Sequence, residues 1–329
     1  MERDTEQGAL PSRLGVDASG VGMRADVFLF RELPVVSRTR LRQKVQKGEA
    51  LLNGHRFSTS TRLRAGDEIL LQWKAAVPTD PGLILSILYE DECLLAVDKP
   101  AGVAAHPMGA RQSGTLVQAA RERYRQVIRA HLQHGDPSFY PTLVNRLDVP
   151  TSGIVLIALT RGVHRALQAM SAARRIDKEY AALVDGIVEQ AEGAIDLPIG
   201  PCRDSAVELK MCCRPDGSPS LTRYQVVQRY EAHTLLRVFP VTGRQHQIRV
   251  HMAAIGHPVA GDLLYRDETL FLAALRADTP TAAPRLCLHA RRAAFVHPVT
   301  GARLVIDAAV PPDMREAIRQ AVSGEMPAF

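Results

Sequence analysis

The chain lacks the spacings that would make its cysteines useful to a metal or a redox couple. Its five, Cys93, Cys202, Cys212, Cys213 and Cys287, contain no Cys-x-x-Cys. An odd number without that pair argues against a disulfide framework and a thiolate zinc site, and fits a reducing cytoplasm. Long apolar runs are missing too. The longest aliphatic stretch, Ile154 to Leu159, is far too short to span a bilayer. The opening Met1-Glu2-Arg3-Asp4 carries acids and no apolar h-region, so a soluble protein without a cleaved export signal or a membrane partner is expected. Gly-x-Gly-x-x-Gly, Gly-x-x-x-x-Gly-Lys and Gly-x-Ser-x-Gly are all absent, which leaves a nucleotide cofactor and a serine hydrolase without support.

What is present is ordinary globular material. Apolar residues make up 46% and charged residues 23% of 329, enough to build a core, and the length suits one small and one large folded unit. A net charge of +6 favours an anionic partner such as RNA, because basic side chains release counterions from a phosphate backbone. The excess is modest, so its placement decides more than its size.

Residues 1–20 show no apolar periodicity and read as a disordered tail. From Arg24, the residues Ala25, Val27, Phe28, Leu29 and Leu33 suit a short amphipathic helix stopped by Pro34, and Ser37 can cap a second helix closed by Gly48. Ala50-Leu51-Leu52 reads as a strand, Asn53-Gly54 as a tight turn and Glu68-Ile69-Leu70-Leu71 as a returning strand. Between Arg38 and Arg64 stand Arg38, Arg40, Arg42, Lys44, Lys47, Arg56, Arg62 and Arg64 against one acid, Glu49. Such a footprint suits phosphate contact, although a solvated basic helix face has the same composition. The order helix, basic helix, Gly, Leu-Leu-Asn-Gly over residues 21–74 resembles the S4-like RNA-binding domain, which implies that Arg38, Arg40, Arg42, Lys44 and Lys47 meet RNA.

Turn residues Pro78, Pro81 and Gly82 place a linker over 75–83, with a large domain over 84–329. There, Leu94 to Val97 and Ile154 to Leu159 read as strands, Val163 to Met170 as a helix, and Tyr180 to Val184, Thr234 to Phe239 and Leu286 to His289 as further strands. Strands outnumber helices without strict alternation. An α+β fold with a mixed, largely antiparallel sheet and flanking helices is therefore expected.

Three segments could carry chemistry. In Asn145-Arg146-Leu147-Asp148-Val149-Pro150-Thr151-Ser152-Gly153, an Arg and an Asp sit in a turn-rich loop before a central strand, where catalytic groups tend to lie; Asp148 capping Thr151 or Ser152 is the structural alternative. Lys178-Glu179-Tyr180 sets Lys178 and Tyr180 on one face of a strand, where Tyr often only packs. In Thr242-Gly243-Arg244-Gln245-His246-Gln247-Ile248-Arg249-Val250-His251-Met252, the residues Ile248, Met252 and Ile255 form one helical stripe, while Gln245 and Arg249 fall on another face. His246, His251 and His257 lack a metal-ligand spacing, so no metal is expected.

In this order, Arg-Leu-Asp-x-x-Thr-Ser-Gly, Lys-x-Tyr and Thr-Gly-Arg-x-His-Gln-Ile-Arg-Val-His resemble the RluA-type RNA pseudouridine synthases. Asp98-Lys99-Pro100-x-Gly102, Gly261-Asp262-x-x-Tyr265, Leu288-His289-Ala290 and His297-Pro298 reinforce the likeness, which covers nearly the whole chain. It implies a cofactor-free isomerisation of uridine, with Asp148 as the essential carboxylate, Tyr180 against the base and Arg249 paired with Asp148. It implies that Arg146 fills the space the flipped base vacates, and that Asn145, Thr151, Arg244, Gln245 and His246 face the substrate. The family usually has His where Asn145 stands, which leaves open any role proposed for that histidine. The S4-like unit points to large-subunit ribosomal RNA as target, with transfer RNA the alternative. A non-catalytic RNA-binding protein and a metal-dependent hydrolase using Asp148 and the histidines are the competing classes. The intact Asp, Tyr and Arg set speaks against the first, and the absent ligand spacing against the second.

Overall fold

The computed structural model describes residues 13–33, 36, 38–72, 83–108, 113–134, 136, 138–276 and 285–322. A small N-terminal unit begins with β1 (Arg13–Gly15), followed by α1 (Ala25–Glu32), α2 (Arg38–Gln46), β2 (Ala50–Leu52) and β3 (Glu68–Leu71). The strands form an antiparallel sheet ordered β1-β3-β2. Asn53 and Gly54, at φ 50° and 83°, make the tight turn their sequence requires. Leu41 and Val45, four residues apart on α2, are buried and leave the basic residues outside.

The tail expected over residues 1–20 is corrected at its C-terminal end. Arg13, Leu14 and Gly15 pair with Leu70, Ile69 and Glu68, and Leu14 and Val16 are buried. Two alternating apolar residues suffice for an added strand but make no visible period. Residues 1–12, the cap expected at Ser37 and nearly all of the linker (73–82) lie outside the described residues.

The large unit runs β4 (Ser86–Glu90), β5 (Leu94–Lys99), α3 (Leu116–Arg123), α4 (Arg125–Gln133), β6 (Phe139–Leu143), β7 (Ser152–Thr160), α5 (Arg161–Ala172) and β8 (Asp177–Asp185). It continues with β9 (Glu192–Asp196), β10 (Ile199–Pro201), β11 (Met211–Cys213), β12 (Leu221–Arg229), β13 (His233–Pro240) and α6 (Gln247–Ala254). α7 (Leu263–Arg266), α8 (Glu268–Arg276), β14 (Leu288–Val296), β15 (Arg303–Asp307) and α9 (Pro312–Val322) complete it. Ten strands form one sheet along the path β4-β5-β7-β14-β8-β13-β12-β9, with β6 on β7 and β15 on β14. Among the described residues only β7 and β14 pair in parallel, and the expected mixed, largely antiparallel α+β fold is what the chain adopts.

The continuous apolar run of β7 follows from cover on both faces. Val155, Ile157 and Leu159 belong to one core cluster, Ile154, Leu156 and Ala158 to another. The first cluster also crosses into the small unit, since Leu29 and Phe30 join Ile128, Leu132 and Phe139. The Phe30 and Tyr140 rings lie 4.8 Å apart, and Arg129 pairs with Glu32 at 2.8 Å. The two units thus share packing that their sequences, read as separate domains, do not announce. No helix among the described residues is long and apolar enough to cross a membrane.

Candidate active site

Asp148 lies in the loop between β6 and β7, and three residues tie that loop down. The Lys99 ammonium, wholly buried, donates to the carbonyls of Pro100, Val103 and Val149 at 2.9, 2.8 and 3.2 Å. The Gly102 amide donates to the same Val149 carbonyl at 2.8 Å. Arg285 donates to the Pro150 carbonyl at 3.2 Å and the Ser152 hydroxyl at 2.6 Å. Gly153 closes the loop at φ +114°, where a Cβ would stand 2.3 Å from the Ala290 carbonyl oxygen, so no other residue fits. The capping alternative for Asp148 falls away: Thr151 N–H donates to its backbone carbonyl, and the carboxylate points elsewhere.

That carboxylate meets Arg249. Nη1 of Arg249 donates to Oδ2 of Asp148 at 3.0 Å, while Nε and Nη2 grip both oxygens of Asp262 at 2.6 and 2.9 Å. Asp148 is 26% exposed, against 7% for Arg249 and 1% for Asp262, so the pair is buried on one side and open on the other. Oδ1 of Asp148 has no partner among the described residues. Burial alone would lower the pKa of Arg249, but the hydrogen bonds and charge of Asp262, with that of Asp148, push it upward, and the guanidinium stays charged.

Helix α6 starts later than its sequence suggests. Gln245 lies outside it and exposed, and His246 is the residue before the first turn, in the left-handed conformation at φ 55°. The expected shared face of Gln245 and Arg249 does not form. Gln247 explains the start, because its buried amide accepts from Thr242 Oγ1 and Arg244 N and donates to Leu221 O and Thr222 Oγ1. His246 reaches Asp148 instead, with Nε2 3.9 Å from Oδ2 and Nδ1 2.9 Å from the Tyr265 hydroxyl. Burial lowers the His246 pKa, partly offset by Asp148, and so favours a neutral ring. Burial, then the Asp148 charge, pushes the Tyr180 phenol upward, so it keeps its proton beside the carboxylate.

The other expected site residues divide. Arg146 is exposed, and its charge adds to burial in lowering the pKa of His106. Asn145 is half-buried, and its amide donates to Ile154 O at 3.2 Å and accepts from Leu156 N at 2.7 Å, bracing β7. Thr151 is buried, its hydroxyl without a partner among the described residues. Arg244 and Gln245 are exposed, and their side chains donate to the Pro219 and Leu209 carbonyls.

On the small unit, fully buried Asp26 accepts from Arg24 at 3.1 Å, Arg38 at 2.8 Å and Arg42 at 2.7 Å. The basic segment is thus anchored by an acid outside it, and Lys44 pairs with Glu49. Arg40 is half-buried and Lys47 exposed.

His246, His251 and His257 go separate ways: His246 to Tyr265, His251 to Thr222 Oγ1 and Leu197 O, His257 to Asp185 O. The group of potential metal ligands found among the described residues is Asp91, Cys93 and His297. Nδ1 of His297 accepts from the Thr300 amide at 3.1 Å, so Nε2 carries the proton toward Asp91, 3.0 Å away, and is not free to ligate. Sequence reasoning missed Lys99, Asp262, Tyr265 and Arg285 as site-building residues, although the first three sit in the motifs that reinforce the resemblance.

The family described as RNA pseudouridylate synthase matches residues 93–254. The chain is 36% identical over 313 residues to a ribosomal large subunit pseudouridine synthase D of Xanthomonas campestris pv. campestris, covering 91% of this chain and 89% of that one. It is 33% identical over 304 residues to the Pseudomonas aeruginosa protein of the same name, covering 89% and 90%. Among solved structures, human RNA pseudouridylate synthase domain containing 1 aligns with a TM-score of 0.51 at 26% identity, covering 71% of this chain and 87% of that one.

Proposed function

Because the chain belongs to the RluA-type family of RNA pseudouridine synthases, and so isomerises uridine in RNA, we propose that its substrate is large-subunit ribosomal RNA and that Asp148 carries the reaction. The observation that supports the assignment of Asp148 is its half-held carboxylate: Oδ2 is fixed by Arg249, Oδ1 has no partner among the described residues, and the side chain is 26% exposed.

The reaction breaks the bond from C1′ to N1, turns the uracil and joins C1′ to C5. C5 gives up its hydrogen and N1 gains one, so no electrons or groups are exchanged with a co-reactant. A stacked uridine must first be extruded, at a cost of roughly a few kcal/mol. Tyr180 offers an aromatic face and a protonated hydroxyl to the flipped base, and exposed Arg146 is free to enter the vacated stack, where a planar cation can stack and donate. Arg249 keeps Asp148 oriented and compensated while substrate displaces water.

For the small unit, Arg38, Arg42 and Lys47 are proposed to meet RNA phosphates, with Arg40 and Lys44 beside them. Asp26 holds the first two at the surface in fixed positions, so less freedom is lost on binding.

The test is to map pseudouridines in ribosomal and transfer RNA from cells with the protein, without it, and with Asp148→Asn. A large-subunit ribosomal site lost in both deficient strains is expected. A site lost only from transfer RNA would overturn the substrate, and one retained with Asp148→Asn would overturn the residue.

A further inference from the structure

The carboxylate of Asp148 is approached from one side by two N–H donors, and both are held by the same short turn. We propose that the segment Gly261–Tyr265 is the positioning clamp of this active site: Asp262 aims Arg249, Tyr265 fixes His246 with its proton on Nε2, and both donors converge on Oδ2 of Asp148. The proposal rests on the reading of Asp148 as the reacting group.

Arg249 spends Nε and Nη2 on Asp262, 2.6 and 2.9 Å away, and only Nη1 on Asp148. A guanidinium gripped by two parallel hydrogen bonds has one orientation left, and Asp262 sets it. Asp262 is itself fixed as the residue capping α7, where it accepts from the Tyr265 amide at 3.3 Å. The Tyr265 ring lies 5.0 Å from the Arg249 guanidinium carbon, beneath the same group.

The hydroxyl of Tyr265 does a second task. It accepts from the Met211 amide at 3.1 Å and stands 2.9 Å from Nδ1 of His246. A phenol has one proton to give, and His246 Nδ1 is the acceptor for it among the described residues. Nδ1 is therefore the unprotonated nitrogen of a neutral ring, and Nε2–H faces Oδ2 of Asp148 across 3.9 Å. That gap is too long for a hydrogen bond, so Nε2–H stands beside Oδ2 as a second donor not yet bonded to it. His246 holds its left-handed backbone in this arrangement, a conformation His tolerates better than most residues.

The turn also tracks the loop that carries Asp148. Gly261, at φ +76°, lets the backbone pass where a Cβ would meet the Arg285 carbonyl oxygen at 2.1 Å, and the side chain of Arg285 ties down Pro150 and Ser152. Clamp and loop are registered against one residue. With Arg249 bonded to Oδ2 and His246 Nε2 held on the same oxygen's side, Oδ1 is the oxygen this arrangement offers to substrate.

The test uses the full chain with Tyr265→Phe and Asp262→Asn. The probe is total RNA labelled with [5-³H]uridine from cells lacking the protein, which contains the target whichever RNA it is and releases tritium as C5 loses its hydrogen. Expected is a fall in single-turnover rate of about tenfold for Tyr265→Phe and about 100-fold for Asp262→Asn, with RNA affinity unchanged. ¹⁵N NMR of the protein alone should show His246 as the Nε2–H tautomer and a mixture in Tyr265→Phe. A rate within twofold of the parent in Tyr265→Phe, a loss that comes through weakened RNA binding, or a tautomer that does not change would each overturn the clamp. If the parent releases no tritium, the reading of function fails, while the tautomer measurement still decides the clamp.

Discussion

The Lys99 ammonium donates to the carbonyl of Val149, the residue next to Asp148, at 3.2 Å. Two further carbonyls, of Pro100 and Val103, take its other protons, and only the charged amine has three. Burial lowers the Lys99 pKa to about 7, with Asp148 partly opposing that. The charge is lost as pH rises through that value, whereas an unfolded Lys holds its proton to about 10.4. Between these two pH values the unfolded chain binds the extra proton, so this residue's contribution to stability rises with pH while the amine, left with two protons, can no longer hold all three carbonyls, Val149's at 3.2 Å being the longest. The expected result is a kcat that falls above pH about 7 without a matching fall in Tm. Lys99→Met should be slow at every pH and lack this alkaline limb. A parent profile flat to pH 9 would show that the tie does not control the carboxylate.

Gly153 is the point where β7 and β14 pair in parallel, and an added Cβ would meet Ala290 backbone at 2.3 Å. Backbone on both sides cannot give way as a flexible side chain would. Gly153→Ala should cost about 2–4 kcal/mol, read from the urea midpoint, and remove activity by shifting the Asp148 loop. Gly162→Ala is the control, because nothing lies within 4 Å of its Cβ and the site is helical. It should be neutral or stabilising by up to ~1 kcal/mol. Equal effects at the two positions would defeat the argument.

Much of this was legible in the chain because one physical rule governed it. The run from Ile154 to Leu159 reads as a central strand since both faces are covered, and the turn at Asn53-Gly54 since two positive φ angles are needed. Where a second element decides the outcome, local pattern failed. Strand β1 exists because β3 offers an edge, Asn145 is absorbed by β7, and α6 starts at Gln247 because Thr242, Leu221 and Thr222 satisfy its amide. Asp148 and Arg249 are 101 residues apart, a pairing no spacing rule could supply; only the resemblance carried it.

His289 connects the same loop to acid stability. It is fully buried, with Nδ1 2.9 Å from the Ser152 hydroxyl and Nε2 3.3 Å from the Ala308 carbonyl. Burial pushes its pKa down to about 4, so the folded protein resists a proton that the unfolded chain takes near pH 6.5. The stability tied to its neutral form is present above pH 6.5 and is lost as pH falls toward 4, to the extent of about 3 kcal/mol. Unfolding free energies at pH 7 and 4.5 should therefore diverge more in the parent than in His289→Gln. Parallel pH curves would assign the acid sensitivity to other groups.

The small unit has consequences beyond RNA contact, because Phe30 lies against Tyr140 and Glu32 pairs with Arg129 of the large unit. Deleting residues 1–75 should weaken RNA affinity and flatten its salt dependence, as the loss of phosphate contacts requires. It should also lower Tm, since Tyr140 and the α4 face with Ile128 and Leu132 lose their cover. Phe30→Ala in the full chain separates these effects. It keeps every basic side chain, so its cost, about 3–5 kcal/mol, should appear in denaturation, with a salt slope like the parent's. If the truncated protein melts with the parent, the units do not share a core, and affinity lost by Phe30→Ala would then point to a role for this contact in holding the basic helix toward the RNA.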